Sequence, residues 1–492
     1  MRNEIGSNDN NNTIKKNTFY NLIKTISTVL FPLIIFPYTS RVLGPENLGK
    51  VNFANSIVSY ISLLASFGIS TYAVRECAKV KSDKRELSRV GSQLFTINIV
   101  STVIAYIVLL ICFMISSKLK EEYFLILLLS FPVFFQTLGA DWINTAMEDL
   151  KFVSLRTMLF QLISIIAVFL FVRDAKDYFL FAVISAGASI GANCLNIYHR
   201  KKYCCLKIVK ECNVKQRIKP IIFLFALTLS QTIFLNVDTT MIGFFHGDIE
   251  VGFYSVAVKI YNLASTLISA ITIVVIPQLS LLSSSVNQNE SIEKVQRYAL
   301  NYILTLGIPI VVGINILTPG IIHIIAGPEY YQAVSPLRIL SIALLLVMLG
   351  GAFIGNVVLI PNGNEKIFMF ATVIATILNC ILNYCLIPKY GIIAAAYTTV
   401  ISEAIILLIT FFKGREYIKI KSIYKCFVLP IVGAVPFALI SWILSRYVQN
   451  IFIHTVATIV VCCIEYIIVE LLVKNEFISE YIISVSKERR NR

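Results

Sequence analysis

Charge is what this sequence has least of for its length. Only 14% of its 492 residues are Asp, Glu, Lys or Arg, whereas soluble domains carry about a quarter. Hydrophobic residues make up 57% of the chain, and the mean hydropathy is +0.77. These values exclude the soluble globular class and indicate an integral membrane protein with many spans.

Long soluble connections and catalytic motifs are also missing. The longest connection between apolar runs covers residues 199–219, and the chain holds only four histidines. It contains no P-loop, no HExxH helix and no nucleotide-binding glycine motif. We therefore expect no cofactor, no metal site and no enzymatic activity, and we expect a protein that moves a substrate rather than converting it.

Cysteine is absent from the predicted outer loops, so the sequence predicts no extracellular disulfide framework. Three of the eleven cysteines, Cys204, Cys205 and Cys212, share one basic segment with His199. The eight Lys and Arg residues of that segment argue against a zinc site, because they would repel the cation.

Fourteen apolar runs are present, each long enough for a membrane-spanning helix. Most of the 43 Lys and Arg residues fall on one side of the resulting topology, which places that side and both termini in the cytoplasm. The net charge of +15 is thereby explained by the excess of Lys and Arg in cytoplasmic segments, and we predict no nucleic-acid partner. The fold class is all-α integral membrane.

The apolar runs and the polar segments between them predict six parts of the chain. They are a disordered cytoplasmic tail (1–16), an N-terminal lobe with helices 1–6 (17–198), a basic cytoplasmic linker (199–219), a C-terminal lobe with helices 7–12 (220–412), helices 13 and 14 (413–473), and a basic cytoplasmic tail (474–492).

The two predicted lobes share a sequence repeat. A shift of 203 residues places Gly44 on Gly247 and Gly49 on Gly252, in matching polar turns, and positions 25–66 contain ten identities without a gap. Six spans separate the repeats, so both have the same orientation. A parallel repeat predicts a pseudo-two-fold axis along the membrane normal and a central cavity between two six-helix lobes.

Ionisable residues inside apolar runs are costly in a bilayer and are the candidate site residues. The candidate cations are Lys24, Arg41, Lys259 and Arg338. Lys24 and Arg338 are also explained by snorkelling, Arg41 by interfacial anchoring, and Lys259 by an ion pair with Asp238. Cations in an enclosed cavity suit an anionic substrate, in particular a phosphate or diphosphate.

The candidate acids are Asp141, Asp238 and Glu403, and Trp142 adds an aromatic surface beside Asp141. Asp141 and Glu148 are seven residues apart, so on a continuous helix they would share one face. Glu403 lies near the middle of its span and is expected to face the protein interior. Acids inside a membrane protein suit a coupling cation or the hydroxyl groups of a sugar.

Four segments carry a family resemblance: RVLGPENLGKVNFANSIVSYISLLASFGISTYAVRE, GADWINTAMEDLKFVSLR, NVDTTMIGFFHGDIEVGFYSVAVKIYNLAS and LNCILNYCLIPKYGIIAAAYTTVISE. The chain resembles the polysaccharide-biosynthesis flippases, the O-antigen and capsule translocases of the MOP (MATE-like) exporter superfamily. One departure is Ala394-Ala395, where the family usually has Gly-Ala after the PKYG turn.

The resemblance implies fourteen helices and a substrate that is an undecaprenyl-diphosphate-linked oligosaccharide. Alternating access would move this substrate from the inner to the outer leaflet of the bacterial cytoplasmic membrane, driven by a proton or sodium gradient. By matching position it makes Arg41, Asp238 and Lys259 cavity charges. It also implies membrane lipids, a glycan polymerase and a chain-length regulator as partners.

Taken together, we predict Arg41, Lys259, Lys24, Arg338, Asp141 and Trp142 as substrate-binding residues, and Asp238 and Glu403 as ion-coupling residues. Three alternatives stay open. A lipid II flippase or a MATE-type cation and drug exporter would share the fold, although the latter favours an acidic, aromatic cavity. A membrane glycan polymerase or ligase would form new glycosidic bonds. A structural subunit of a glycan-assembly complex would show no transport by itself.

Overall fold

The computed structural model describes residues 2–210, 214–283, 289–420 and 423–472. These residues form helices and short connections without any strand, which confirms the all-α class. Contacts divide the chain into two units, Met1–Gly252 and Phe253–Arg492. The lobe and linker boundaries given above stay predictions. The tail 474–492 and the side chain of Lys24 lie outside the described residues.

The helices of the first unit are separated by short turns. In chain order they are α1 (Arg2–Ser66), α2 (Ile69–Lys79), α3 (Lys84–Ile115), α4 (Ser117–Glu121), α5 (Tyr123–Gly139), α6 (Trp142–Ala146), α7 (Leu150–Phe171), α8 (Tyr178–His199) and α9 (Val214–Phe245). Short 3₁₀ turns cover Ala175–Asp177 and Arg200–Lys202.

The helix α10 (Asp248–Ser269) begins in the first unit and continues into the second. The remaining helices are α11 (Thr272–Ser283), α12 (Asn289–Ile325), α13 (Val334–Leu346), α14 (Glu365–Gly414), α15 (Tyr424–Ala434), α16 (Pro436–Tyr447) and α17 (Ile451–Leu472). A π-helix, Val347–Leu359, follows α13, and 3₁₀ turns cover Pro328–Ala333 and Arg415–Tyr417.

Eleven described helical segments are long and apolar enough to cross a membrane. Two of them, Phe31–Lys79 and Glu365–Tyr417, hold 49 and 53 residues, whereas about 20 residues span the hydrocarbon core. Glycines with a positive φ interrupt both segments, at Gly44 (φ 72°) and Gly391 (φ 57°). Because each can therefore cross twice, and Tyr123–Gly139 is a shorter apolar helix, the described helices are consistent with fourteen spans.

Both repeated turns contain a glycine with a positive φ. Gly44 has a φ of 72° and Gly247, its counterpart after the 203-residue shift, has a φ of 85°. Glycine adopts this left-handed region without a steric penalty, which explains why both turns carry it. The prediction that the paired glycines mark matching turns is confirmed.

The helix α1 includes residues 2–16, for which we predict a disordered tail; the structure gives this segment a helical backbone. Extending an existing helix adds one hydrogen bond for each residue fixed, so a polar segment continues a helix far more readily than it starts one. The amino-acid composition of residues 2–16 does not show that the apolar span after them already nucleates the helix.

The chain after α8 lies in extended form along α3. Three hydroxyl side chains of α3, Ser88, Ser92 and Thr96, follow each other at four-residue intervals, which is about 6 Å along a helix. The amides of Cys205, Lys207 and Val209 donate to them over 3.4, 3.1 and 3.0 Å.

Alternate residues of an extended chain are about 6.6 Å apart, so the two spacings match and every second amide meets a hydroxyl. The Ser92 hydroxyl also donates to the Cys205 carbonyl over 3.4 Å. These contacts fasten the start of the linker to the first unit. We call Ser88, Ser92 and Thr96 the hydroxyl ladder.

Each unit has its own apolar core. In the first unit, buried side chains of α2, α3 and α6 pack together, among them Ile69, Leu94 and Ile143. In the second unit, α12 and the π-helix contribute Leu300, Ile303, Phe353 and Val357. Large apolar side chains also cover the outer helix faces, such as Ile166, Leu235 and Phe370, as a bilayer-spanning protein requires.

Candidate functional site

Two interrupted helices stand next to each other in the first unit. α1 ends at Ser66, and the chain passes through Phe67 (φ 44°) and Gly68 (φ 69°) before α2 begins. α5 ends at Gly139, and Ala140 (φ 51°) precedes α6. Non-glycine residues with a positive φ cost free energy and persist only where the surroundings fix them, which occurs most often at binding sites.

The interruptions free backbone groups that the walls of the site then satisfy. The carbonyl of Ala65, at the end of α1, accepts from the Asn98 side-chain amide over 2.8 Å and from the Ser101 hydroxyl over 2.6 Å. The hydroxyls of Thr102 and Thr137 share a hydrogen bond of 2.8 Å. Non-helical backbone at membrane depth is tolerated when it lines a polar cavity, and this is such a case.

A cavity of about 420 Å³ lies between the two interruptions, and we call it the break pocket. Its lining residues come from α1, α2, α3, α5 and α6. They are Ser62, Ala65, Ser66, Ser70, Thr71, Val74, Asn98, Val133, Gln136, Thr137, Asp141, Trp142 and Thr145. Hydroxyl and amide side chains therefore dominate the pocket, and its lining includes the predicted site residues Asp141 and Trp142.

Asp141 is held by an arginine that the sequence analysis did not select. The Nη2 atom of Arg156, on α7, donates to Oδ1 and Oδ2 of Asp141 over 3.1 and 2.9 Å. The Arg156 side chain is only 4% exposed, whereas that of Asp141 is 37% exposed. The signal was present, because Arg156 lies about one turn inside a predicted span, where a charge is costly.

The expectation that Asp141 and Glu148 share one helix face is wrong. α6 ends at Ala146, and Glu148 has a φ of 59°, so the helix that would align the two acids is interrupted. Glu148 is exposed and forms an ion pair with Lys81 over 2.8 Å, whereas Asp141 forms an ion pair with Arg156 over 2.9 Å. Only Asp141 belongs to the pocket.

The other predicted site residues lie apart from the break pocket. Arg41 is exposed on α1, Asp238 is buried on α9, Lys259 is half-buried on α10, and Arg338 is exposed on α13. Asp238 belongs to the first unit and Lys259 to the second, so their pairing stays a prediction.

Glu403 is buried, as its position in the sequence predicts, with 6% of its surface exposed. It lies on the second half of α14, after the Gly391 break. Five residues before it, Thr398 donates to the side-chain carbonyl of Asn383, and Asn383 donates to that of Asn379 over 3.0 Å. A buried polar chain thus links the two halves of α14.

A second cavity, of about 410 Å³, lies in the second unit among α12, α16 and α17. Its lining is almost wholly apolar and includes Leu306, Pro309, Phe437 and Tyr466. Such a surface offers room for hydrocarbon but no polar group that would fix a charged head group.

A cluster at the N-terminal end of α7 joins that helix to the segment that follows α8. Tyr203 donates to Oδ2 of Asp149 over 2.6 Å, His199 lies 2.8 Å from the same oxygen, and the Phe152 amide donates to Oδ1 over 3.4 Å. Burial favours the neutral carboxyl, but these hydrogen bonds outweigh it and lower the pKa of Asp149.

Comparison with known proteins gives this geometry its context. The family model described as polysaccharide biosynthesis protein matches residues 14–283, more than half of the chain. The chain belongs to this family. The match includes both interrupted helices, the break pocket and both repeated glycine turns.

Relatives of this polysaccharide biosynthesis protein support the assignment. An Escherichia coli K12 protein named for O-antigen transport is 25% identical over 83% of this chain and 99% of its own length. The capsular polysaccharide biosynthesis protein CapF of Staphylococcus aureus is 24% identical over 80% of this chain and 97% of its own. The resemblance to the O-antigen and capsule flippases is confirmed.

The lipid II flippase MurJ, in its inward closed conformation, has the same fold. It matches 94% of this chain and 100% of its own with a TM-score of 0.76, at 19% sequence identity. At this identity the likeness shows the fold alone. The chain is thus a multi-pass, all-helical membrane protein with this fold.

Proposed function

We propose that the protein moves an undecaprenyl-diphosphate-linked oligosaccharide from the inner to the outer leaflet of the bacterial cytoplasmic membrane by alternating access. The observation that carries the proposal is family membership together with near full-length relatives named for O-antigen transport and capsule synthesis. The polar pocket of the first unit fits a substrate with a sugar head group.

The predicted residues have distinct roles in this proposal. Arg41, Lys24, Lys259 and Arg338 attract the diphosphate, while Asp141 and Trp142 contact the glycan. Asp238 and Glu403, both buried, are the candidates for binding the coupling ion, a proton or sodium. Both termini lie in the cytoplasm, and a glycan polymerase and a chain-length regulator receive the product.

Drug export is disfavoured by the pocket itself. A cationic drug requires an available carboxylate, but the carboxylate of Asp141 is already neutralised by Arg156 at 2.9 Å. Glycan polymerisation is disfavoured because the chain has no sizeable soluble segment for an acceptor. A lipid II flippase would need the same diphosphate contacts, so only the glycan distinguishes it.

A liposome assay tests the proposal. Purified protein is reconstituted with a fluorescent undecaprenyl-diphosphate oligosaccharide, and an external glycosidase reports how much of the head group reaches the outer leaflet. We expect movement that requires an imposed ion gradient. Expulsion of an amphiphilic cation without movement of the glycolipid would instead assign the protein to drug export, and new glycosidic bonds would assign it to synthesis.

Variants separate the roles of the charges. Lys259→Ala should abolish movement, whereas Lys176→Ala, which removes an exposed lysine outside the candidate site, should leave it unchanged. Asp238→Asn and Glu403→Gln should remove the dependence on the gradient. Movement that survives Lys259→Ala, and that still requires the gradient after Asp238→Asn and Glu403→Gln, would leave the function standing and remove these site assignments.

A further inference from the structure

The break pocket is rich in groups that form hydrogen bonds without carrying charge. Its exposed or half-buried members include hydroxyls of α1 and α2 on one side and of α6 on the other. They are Ser62, Ser66, Ser70, Thr71 and Thr145. A hydroxyl both donates and accepts, so these groups suit a ligand with many hydroxyls of its own.

Gln136 adds an amide to this set. It is exposed on α5, one turn before the Ala140 break, and its side chain forms no hydrogen bond within the part of the chain that the structure describes. An amide supplies two donors and a carbonyl acceptor, and this pattern matches a sugar hydroxyl or an acetamido substituent.

No free charge is offered to a ligand in this pocket. Asp141 is the single ionisable side chain among its described lining residues, and Arg156 binds both of its carboxylate oxygens. Arg156 itself is 4% exposed and does not line the pocket. A diphosphate or a uronic acid would lose its hydration here without meeting a cation, which is unfavourable.

The volume of the break pocket is also appropriate for one small polar group. About 420 Å³ falls at the lower end of the range for small-molecule sites, roughly 300–1,000 Å³. Gly68, the N-cap residue of α2, has no side chain that could accept from the first-turn amides of that helix, to which Ser70 and Thr71 belong.

We propose that the break pocket binds one uncharged sugar ring of the transported head group, with Gln136 as a specificity-determining residue, and that the diphosphate is bound elsewhere. This inference rests on the proposed function, because it concerns the head group of the same substrate. Arg156 acts as a positioning residue that keeps Asp141 neutralised and turned away from an ion-binding role.

Tryptophan fluorescence tests the inference on the full-length protein in nanodiscs. The chain has two tryptophans: Trp142 lines the pocket, and Trp442 is exposed on α16 under the Arg446 guanidinium at 3.9 Å. Trp442→Phe therefore leaves Trp142 as the reporter. The probes are a polyprenyl diphosphate that carries one N-acetylhexosamine and the same lipid without the sugar.

We expect the glycosylated lipid to change Trp142 emission and the bare diphosphate to leave it unchanged. Gln136→Ala should weaken binding of the glycosylated lipid by roughly threefold to tenfold, the effect of one hydrogen bond, without changing affinity for the bare lipid. Both affinities are measured by titration calorimetry, because the bare lipid gives no emission signal. Thr71→Val should act in the same direction. Gln332→Ala, which alters an exposed glutamine of the second unit, is the matched control and should have no effect.

Two results would overturn the inference while the proposed function stands. One is equal weakening of both probes by Gln136→Ala. The other is glycolipid binding that leaves Trp142 emission unchanged. Failure of the unmodified protein to bind either lipid would overturn the proposed function, and the inference with it, so the two failures are distinguishable.

Discussion

Gly49 and Gly252 each lie against the backbone of the other's turn. A Cβ atom added to Gly49 would be 1.7 Å from the carbonyl oxygen of Asp248, and one added to Gly252 would be 2.0 Å from that of Pro45. Pro45 and Asp248 are related by the same 203-residue shift as the glycines, so the contact is reciprocal. All four residues belong to the first unit.

Because backbone atoms occupy the space, Gly49→Ala should destabilise the protein by about 2–3 kcal/mol, the cost of overpacking a rigid contact. Gly187→Ala on α8 is the control, since nothing lies within 4 Å of its added Cβ. That change should be neutral or stabilising by up to about 1 kcal/mol. Thermal unfolding of the purified variants in detergent measures the change in stability of both. Equal melting temperatures for Gly49→Ala and Gly187→Ala would contradict the close packing at Gly49.

The pair of Asp141 and Arg156 should show strong coupling. Asp141→Asn leaves the buried Arg156 without its counter-charge, at a cost of roughly 3 kcal/mol, near the low end for buried pairs because Asp141 is partly exposed. Arg156→Met in the same chain should recover most of this loss. A double-mutant cycle of unfolding free energies tests it, and additive effects would show that the pair is not coupled.

The hydroxyl ladder should control exchange of the linker amides. Ser92→Ala removes the acceptor of the Lys207 amide, so hydrogen exchange at residues 205–209 should speed up by about fivefold, the loss of roughly 1 kcal/mol of protection. Thr157→Val on α7 is the control, because its hydroxyl donates only to Val153 within its own helix. Mass spectrometry of peptic fragments measures both, and unchanged exchange after Ser92→Ala would mean that other contacts hold the linker.

The lowered pKa of Asp149 predicts an acid-dependent contribution to stability. A depressed carboxyl pKa stabilises the fold above its ordinary value of about 3.9, and this contribution is lost as the pH falls through the lowered value. Tyr203→Phe removes one donor to the carboxylate and should cost about 1 kcal/mol at pH 7.

The difference between Tyr203→Phe and the unmodified protein should therefore shrink below about pH 4. Tyr198→Phe is the matched control, because Tyr198 is exposed and directly precedes His199 on the same helix. Melting temperatures across pH 3–7 measure the difference. A gap that stays constant over this range would show that Tyr203 acts through packing and not through the charge of Asp149.

Much of the fold could be predicted from the sequence because membranes constrain it strongly. The apolar runs predicted the helices, and the repeat paired the turns of Gly44 and Gly247, both of which have a positive φ. The burial of Glu403 followed from its depth in a span. These properties depend on local sequence and on the bilayer, and both are readable without tertiary contacts.

The break pocket could not be predicted in the same way. A glycine stands beside each break, Gly68 next to Phe67 and Gly139 next to Ala140, but the apolar runs continue through both and suggest unbroken helices. The partner of Asp141 comes from another helix, α7. Which of several intramembrane charges meet is a property of packing, and a single sequence carries little information on it.

The breaks at Phe67 and Ala140 also have a mechanical consequence. α2 and α6 pack against each other through Ile69, Trp142 and Ile143, so beyond the two breaks they form one stiff piece. The breaks are then a pair of hinges side by side, and the pocket lies in the angle between them. Bending at these hinges changes the width of the pocket. A ligand that fills the pocket would therefore fix the angle between the helix segments on either side of the breaks.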